Sequence, residues 1–403
     1  MHIRYLTLAF MFLLYATQAN AETFDGYVKR LAEHPQVTQI LEQTTRYKEL
    51  SDSAMGLPDP VLTIGVDNVP VSNPSFNSFL PTSKVIGFKQ QIPSYSARKA
   101  KSGKQEKLSE KQQLIANYTM ARLEAMLISM LAKLDKVKQQ EAYAQKQLVH
   151  YKALEEFFKG KLESGSGVYW RFSQVDVERS QVENKLNDLV AERDDIEAEL
   201  VRLVGEVPDI PLPNIPNINW NGSEDALYPL RIASEDIAIA SKDVDYADAA
   251  FGPNYGVNAL YKQRESGTGF NGDDWFSAQV TVSIPLWYSS NQAPKLRAAE
   301  AGKRSTENAY SDAIRMWKRS LKALSSKRDA ALKNVMVFVQ RDKSLEKMVA
   351  AAERNYEASE SDLDTVLDAQ INQLTIKSQL AEQRARHLTL MAKFNSHIIG
   401  EKE

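Results

Sequence analysis

The chain has 403 residues, enough for two or three ordinary domains, and a net charge of −2 that gives no broad electrostatic pull toward nucleic acid. It has no cysteine, which excludes a disulfide framework, a thiolate metal site and a cysteine nucleophile. Its five histidines, His2, His34, His150, His387 and His397, form no HxxxH or HExxH pair. No nucleophile–base pair, phosphate loop or metal cluster points to an enzyme, and no cofactor is expected.

Residues 1–4 carry positive charge, 5–15 form an apolar run, and Ala19-Asn20-Ala21 is a small-x-small site. This is the pattern of a secretory signal peptide over 1–21, with an uncleaved anchor as the alternative. The mature chain then begins near Glu22 and, lacking cysteine, carries no N-terminal lipid. No later run of ~18 apolar residues exists, so a membrane would be entered only as strands.

Helical spacing of Phe24, Tyr27, Val28, Leu31, Val37, Ile40 and Leu41 predicts a helix over 24–55, bent or reset at Pro35 and ended by Gly56-Leu57-Pro58-Asp59-Pro60. Strands are predicted at 61–69 and 84–92, a hairpin over 61–92, joined by a Pro-, Ser- and Asn-rich loop. A helix over 95–158, roughly 95 Å long, follows. Leu123, Leu127, Met130, Leu134, Val137, Ala144, Leu148, Tyr151 and Phe158 give it a coiled-coil seam, interrupted by Glu141 and Glu155. Gly160 and residues 164–167 mark a turn, and 168–204 a returning helix.

The segment 208–222 holds Pro208, Pro211, Pro213 and Pro216, a density that no helix or central strand tolerates. It is expected to link a first repeat, 22–207, to a second, 223–403. The second repeat carries a helix over 224–250, strands at 255–262 and 275–284 (a hairpin over 255–284), a long helix at 294–354 and a return helix at 363–397. Ile92-Pro93 and Ile284-Pro285 are offset by 192 residues, and the turns Leu162-Glu163-Ser164-Gly165 and Tyr356-Glu357-Ala358-Ser359 by 194, which points to an internal duplication.

The strands alternate. Phe276, Ala278, Val280, Val282 and Ile284 oppose Ser277, Gln279, Thr281 and Ser283, and the other three strands alternate similarly. Such strands suit a barrel facing lipid outside and water inside, or equally one sheet of a soluble α+β domain. Helices three times longer than the strands favour an end-to-end arrangement over helices laid on a sheet. Four strands cannot close a membrane barrel, so the barrel must be shared, and three copies give twelve strands.

Over essentially its whole mature length the sequence resembles the TolC family of outer-membrane efflux channels. The resemblance rests on Gly56-Leu57-Pro58-Asp59-Pro60 entering the first strand, Gln91-Ile92-Pro93 leaving the second, Ile284-Pro285-Leu286-Trp287 leaving the fourth, and Asn355-Tyr356 followed by Val366-Leu367-Asp368-Ala369. It implies a mainly α chain with a membrane β-barrel portion: a trimeric TolC-like α/β-barrel, four strands per subunit plus long antiparallel coiled-coil helices. It further implies a homotrimer in the outer membrane, embedded in its lipid, with a helical tunnel in the periplasm. The duct would be passive and work with a periplasmic adaptor protein and an inner-membrane pump.

Within that resemblance the tips, Gly165, Ser166 and Gly167 in the first turn and Ser359 and Glu360 in the second, are expected to dock the adaptor. Ser359 stands where family members usually carry Gly. Asp368 matches one acidic position of the family's aperture ring and Tyr356 its latch tyrosine. Thr365 occupies the other acidic position, Ser361 the latch arginine's, and Arg171 that of an acidic partner, so the latch chemistry is altered. Asp368 is either a cation-attracting ring or one more solvated charge. The LPDP…VDNVP entry resembles members paired with resistance–nodulation–division pumps, with metal cations or drugs as cargo. The alternatives are the duct of a type I protein secretion system, or a secreted periplasmic coiled-coil structural protein. Trp275, Phe276, Tyr255 and Tyr261 are candidates for an aromatic girdle.

Overall fold

A computed structural model describes residues 23–400, and the expected signal peptide, 1–21, lies outside the described residues. The N-terminal helical region is two helices, α1 (Phe24–Ala32) and α2 (Pro35–Met55). Of the two expected outcomes, a bend or a reset, Pro35 gives the reset and starts the second helix: it sits at N1, where its missing N–H is no loss, and the His34 Nδ1 accepts from the Gln36 N–H at 3.3 Å.

Strand β1 (Val61–Asp67) is shorter than expected because Asn68 takes a left-handed φ of 55°. The Thr82 hydroxyl donates to the Asn68 carbonyl at 3.1 Å and holds that turn. After β2 (Ser83–Ile92), the Ser94 hydroxyl accepts from the Ala97 N–H and caps α3 (Tyr95–Glu163), 69 residues and about 100 Å long. This helix runs through Gly160, where a turn was expected, because the left-handed residue that ends it is Gly165.

The returning α4 (Tyr169–Val204) stops at Gly205, whose φ is 89°. The proline-rich stretch then crosses the middle of the molecule without regular structure. It is pinned by Arg328 Nη1 donating to the Ile218 carbonyl at 2.6 Å and Asn395 Nδ2 to the Pro216 carbonyl at 2.8 Å. Helix α5 (Tyr228–Ala249), strands β3 (Asn254–Gln263) and β4 (Trp275–Ser283), and helices α6 (Gln292–Glu357) and α7 (Leu363–Asn395) complete the chain.

The strands form one antiparallel sheet in the order β1-β2-β3-β4, so the two hairpins join through β2 and β3. Beside the sheet, α2, α3, α5 and α6 stand side by side in that order; in the far half the order is α4, α3, α7, α6. Both long helices thus span the molecule, while the shorter ones meet at its middle. Leu123, Leu127, Leu134 and Val137 of α3 pack on Leu189, Ile196, Leu200 and Leu203 of α4, with Tyr27 and Leu31 of α1 closing that core. Met130 and Leu148 are only partly buried, and Leu154, outside the expected seam, is fully buried near the tips.

Candidate functional site

The sheet register sorts side chains into two faces. Leu62, Phe88, Ala259 and Ala278 form one cross-strand row, and Ile64, Ile86, Tyr261 and Phe276 the next. At the helix end the same face carries Ile92, Tyr255 and Val282. The opposite face carries Thr63, Lys89, Asn258, Gln279, Gln91 and Thr281. Leu260 is one of the few large apolar residues on that polar face, with Val61, Val85 and Trp275, and it lies over Gly87, where a Cβ would meet its Cδ2 at 2.7 Å.

Among the described residues nothing covers the apolar face: Ile64 is 75% exposed and Phe276 72%. Both edges, β1 and β4, are unpaired among the described residues. The polar face leads into a hollow of about 960 Å³, lined by Lys89, Gln91, Ala97, Tyr246, Thr281 and Lys295, where strands pass into helices. The aromatic candidates do not form one girdle. Tyr261 and Phe276 share a row near the loop end, Tyr255 lies at the helix end, and Trp275 is on the polar face with Arg264 stacked 3.9 Å from its ring centre.

At the other end the two tips have the same hydrogen-bond pattern. The Gly165 N–H donates to Leu162 O and the Ser166 N–H to Lys161 O; the Ser359 N–H donates to Tyr356 O and the Glu360 N–H to Asn355 O. These are two Schellman turns, each needing a left-handed residue at its fifth position. Gly165 supplies it with φ 86° and Ser359 with φ 60°, so serine keeps the geometry that glycine has in the first turn. Lys161, in the last turn of α3, pairs with Asp362 at the start of α7 at 2.5 Å and ties one tip to the other. Gly167 follows the first turn with open space where a Cβ would stand.

One turn into the return helices, Arg171 of α4 meets Asp368 of α7. Its Nη2 lies 2.8 Å from both carboxylate oxygens, and its Nη1 3.3 Å from Glu178. The guanidinium also lies over Phe158, 5.9 Å from the ring centre. Burial lifts the Asp368 carboxyl above its ordinary range; Arg171 pulls it down, and Glu178 and Asp364 push it up. The neighbouring Tyr151 hydroxyl is raised to about 12, chiefly by burial and then by Glu178 and Asp368. The Arg171 and Asp368 charges cancel within one subunit, and Glu178 is the carboxylate left over.

The other candidates are not drawn into this cluster. Tyr356 is exposed on the last turn of α6. The Thr365 N–H donates to Asp364 Oδ1 at 3.0 Å, within its own turn. The Ser361 hydroxyl is buried without a hydrogen-bond partner among the described residues. Lys161, Asp362 and Glu178 were not singled out from sequence. Only the seven-residue step from Arg171 to Glu178, two turns along one helix face, signals any of these contacts in advance.

No family model matches the sequence, and no characterised protein matches it by sequence. Solved structures do match. The outer-membrane protein VceC of Vibrio cholerae superimposes with a TM-score of 0.72 at 14% identity, over 93% of this chain and 95% of that one. The open-state MtrE outer-membrane channel of Neisseria gonorrhoeae gives 0.74 at 13%, over 93% and 88%. The CmeC outer-membrane channel of Campylobacter jejuni gives 0.72 at 11%, over 94% and 87%. At these identities the likeness establishes the fold, which is that of the TolC-type outer-membrane channels.

Proposed function

We propose that this chain, folded as a TolC-type channel subunit, is the outer-membrane exit duct of a tripartite exporter. The observation that carries the reading is the four-stranded sheet with an exposed apolar face, a polar opposite face and two free edges. In water such a sheet leaves apolar rows and strand edges uncovered. In lipid, edges are not tolerated, so β4 of one subunit pairs with β1 of the next until the barrel closes. Three copies give twelve strands, and the free edges of the helical layers, α6 on one side and α2 with α4 on the other, meet in the same sense. A head-to-tail contact that closes by rotation makes a ring.

The resulting homotrimer sits in outer-membrane lipid with its helices in the periplasm. An adaptor protein docks on the tips at Gly165, Ser166, Gly167, Ser359 and Glu360. An inner-membrane pump, of the resistance–nodulation–division type, supplies the energy. Arg171 and Asp368 hold α4 to α7 just inside the aperture, where the altered latch pairs within a subunit. Because that pair is neutral, the negative charge left at the aperture is that of Glu178 and not of Asp368, and metal cations and small drug-like solutes are both candidate cargo.

The test is envelope fractionation followed by electrophoresis of the outer membrane without boiling. A heat-sensitive trimer in that fraction is the expected result, together with increased solute sensitivity when the gene is deleted. A soluble periplasmic monomer would end the duct reading and leave a coiled-coil structural protein in its place.

A further inference from the structure

Midway along the molecule α2, α3 and α7 enclose a groove of about 690 Å³. Its charged residues are Arg122 of α3 and Lys393 of α7, alongside the amides of Gln36, Gln39 and Gln43; among the described residues no carboxylate lines it. Neither cation lies within ion-pairing distance of a carboxylate among the described residues. That differs from Lys104, Lys107 and Lys111 higher on the same helix, each of which holds an acidic partner. His397 lies at the groove's edge with Nδ1 2.8 Å from the Tyr118 hydroxyl. Burial first, then Lys393 and Arg122, hold its pKa down at about 4, so the ring is neutral at ordinary pH and both cations bear on one place.

The groove opens toward the duct. Ala97 lines the hollow beneath the polar sheet face. At 3.6 residues per turn, Arg122 lies about 20° from Ala97 around α3, whereas Glu124 lies about 180° away. The Glu124 face is the one the proline-rich segment crosses, with Ile215, Pro216 and Ile218 lying against Glu124 and Ile128. The segment therefore lies outside and the groove inside.

We propose that this groove is an anion station in the duct wall, and that the cargo includes solutes carrying carboxylate or phosphate groups. The inference rests on the trimeric duct proposed above: three copies set six cations around the lumen at mid-height. Low-dielectric walls focus such a field, and a guanidinium matches the two oxygens of a carboxylate or phosphate.

The purified trimer is titrated calorimetrically with inorganic tripolyphosphate and, separately, with citrate. At least one anion binds the wild type. The double variant Arg122→Gln/Lys393→Gln weakens that binding on the order of tenfold, and Arg122→Lys/Lys393→Arg keeps it within about threefold. Tripolyphosphate alone binding assigns phosphate cargo, and citrate binding as well extends it to carboxylates. Absence of binding by both probes, or binding that the double Gln variant leaves unchanged, overturns the anion station. Each variant is first shown to run as a heat-sensitive trimer, with single Arg122→Gln and Lys393→Gln variants read if the double one fails to assemble. A wild type that forms no trimer fails at that earlier step, which counts against the duct and not against the groove.

Discussion

Ser359 and Gly165 occupy the same position in two equivalent turns, yet only one of them is free of a Cβ. A left-handed backbone costs a non-glycine residue about 1 kcal/mol, so the second tip is held under strain that the first lacks. Ser359→Gly is expected to relieve it, slowing hydrogen exchange of the Glu360 amide by roughly fivefold in the assembled protein. Gly165→Ala is expected to speed exchange at Ser166 by a similar factor. Equal exchange in wild type and Ser359→Gly would show that the second turn is not strained. His397 gives a second prediction at this scale. Its folded pKa, about 4, lies below its unfolded value near 6.5, so the unfolded chain binds the extra proton first as pH falls. Its contribution is intact above pH 6.5 and is lost between there and pH 4. Discounted for partial exposure, the loss is on the order of 2 kcal/mol. Trimer melting should therefore fall with acidification more steeply in the wild type than in His397→Gln, and parallel curves would refute the assignment.

At the scale of elements, the strands and the long helices were legible because their periods are strong: two residues in β4, and seven in the seam from Leu123 to Phe158. That seam describes the side of α3 facing α4. The side facing α7 was less legible, because between its apolar contacts near Ile128 and Leu154 it is made largely of small and polar residues. Ala132 is buried, Gln140 Nε2 donates to the Ser378 carbonyl at 3.0 Å, and Gln147 Nε2 donates to the Thr375 hydroxyl at 2.8 Å. Hydrophobic periodicity registers such a contact only as gaps. The tip cluster was half legible: Arg171 and Asp368 were named from different halves of the chain, but their pairing needs the fold, and Lys161 and Asp362 carry no local signal. Glu141 and Glu155, which interrupt the seam, are answered from α4, Glu141 by Arg193 at 2.8 Å and Glu155 by Arg179 at 3.7 Å. A buried charge with its partner removed is more costly than no charge at all. Arg193→Met is therefore expected to destabilise α3 against α4 by about 2–3 kcal/mol, while Glu141→Leu/Arg193→Met falls near the wild type. Denaturant midpoints of the three proteins decide this, and additive losses in the double variant would mean the pair does not couple.

For the whole molecule, the sheet and both helical layers end in unpaired edges at the same two sides, which is why the isolated chain looks unfinished. The exposed apolar residues of α6 belong to this pattern: Met316, Met336, Val337 and Met348 lie on a helix with few buried residues of its own. On α4, at the other side, Val177, Val190 and Val201 are exposed in turn. If α6 of one subunit seats against α4 of the next, a charge placed on its apolar face acts at three equivalent interfaces at once. Burying a side chain of this size contributes about 1.5–3 kcal/mol, and burying an unpaired carboxylate reverses the sign. Met336→Asp/Val337→Asp is thus expected to abolish the heat-sensitive trimer while circular dichroism still reports long helices, since neither side chain supports the subunit's own core. The matched substitution Val149→Asp on α3, at a site exposed but on a helix flanked on both sides within the subunit, should leave the trimer intact. A trimer that survives the α6 variant, or is lost equally in both, would place the subunit contact elsewhere on the helical layer.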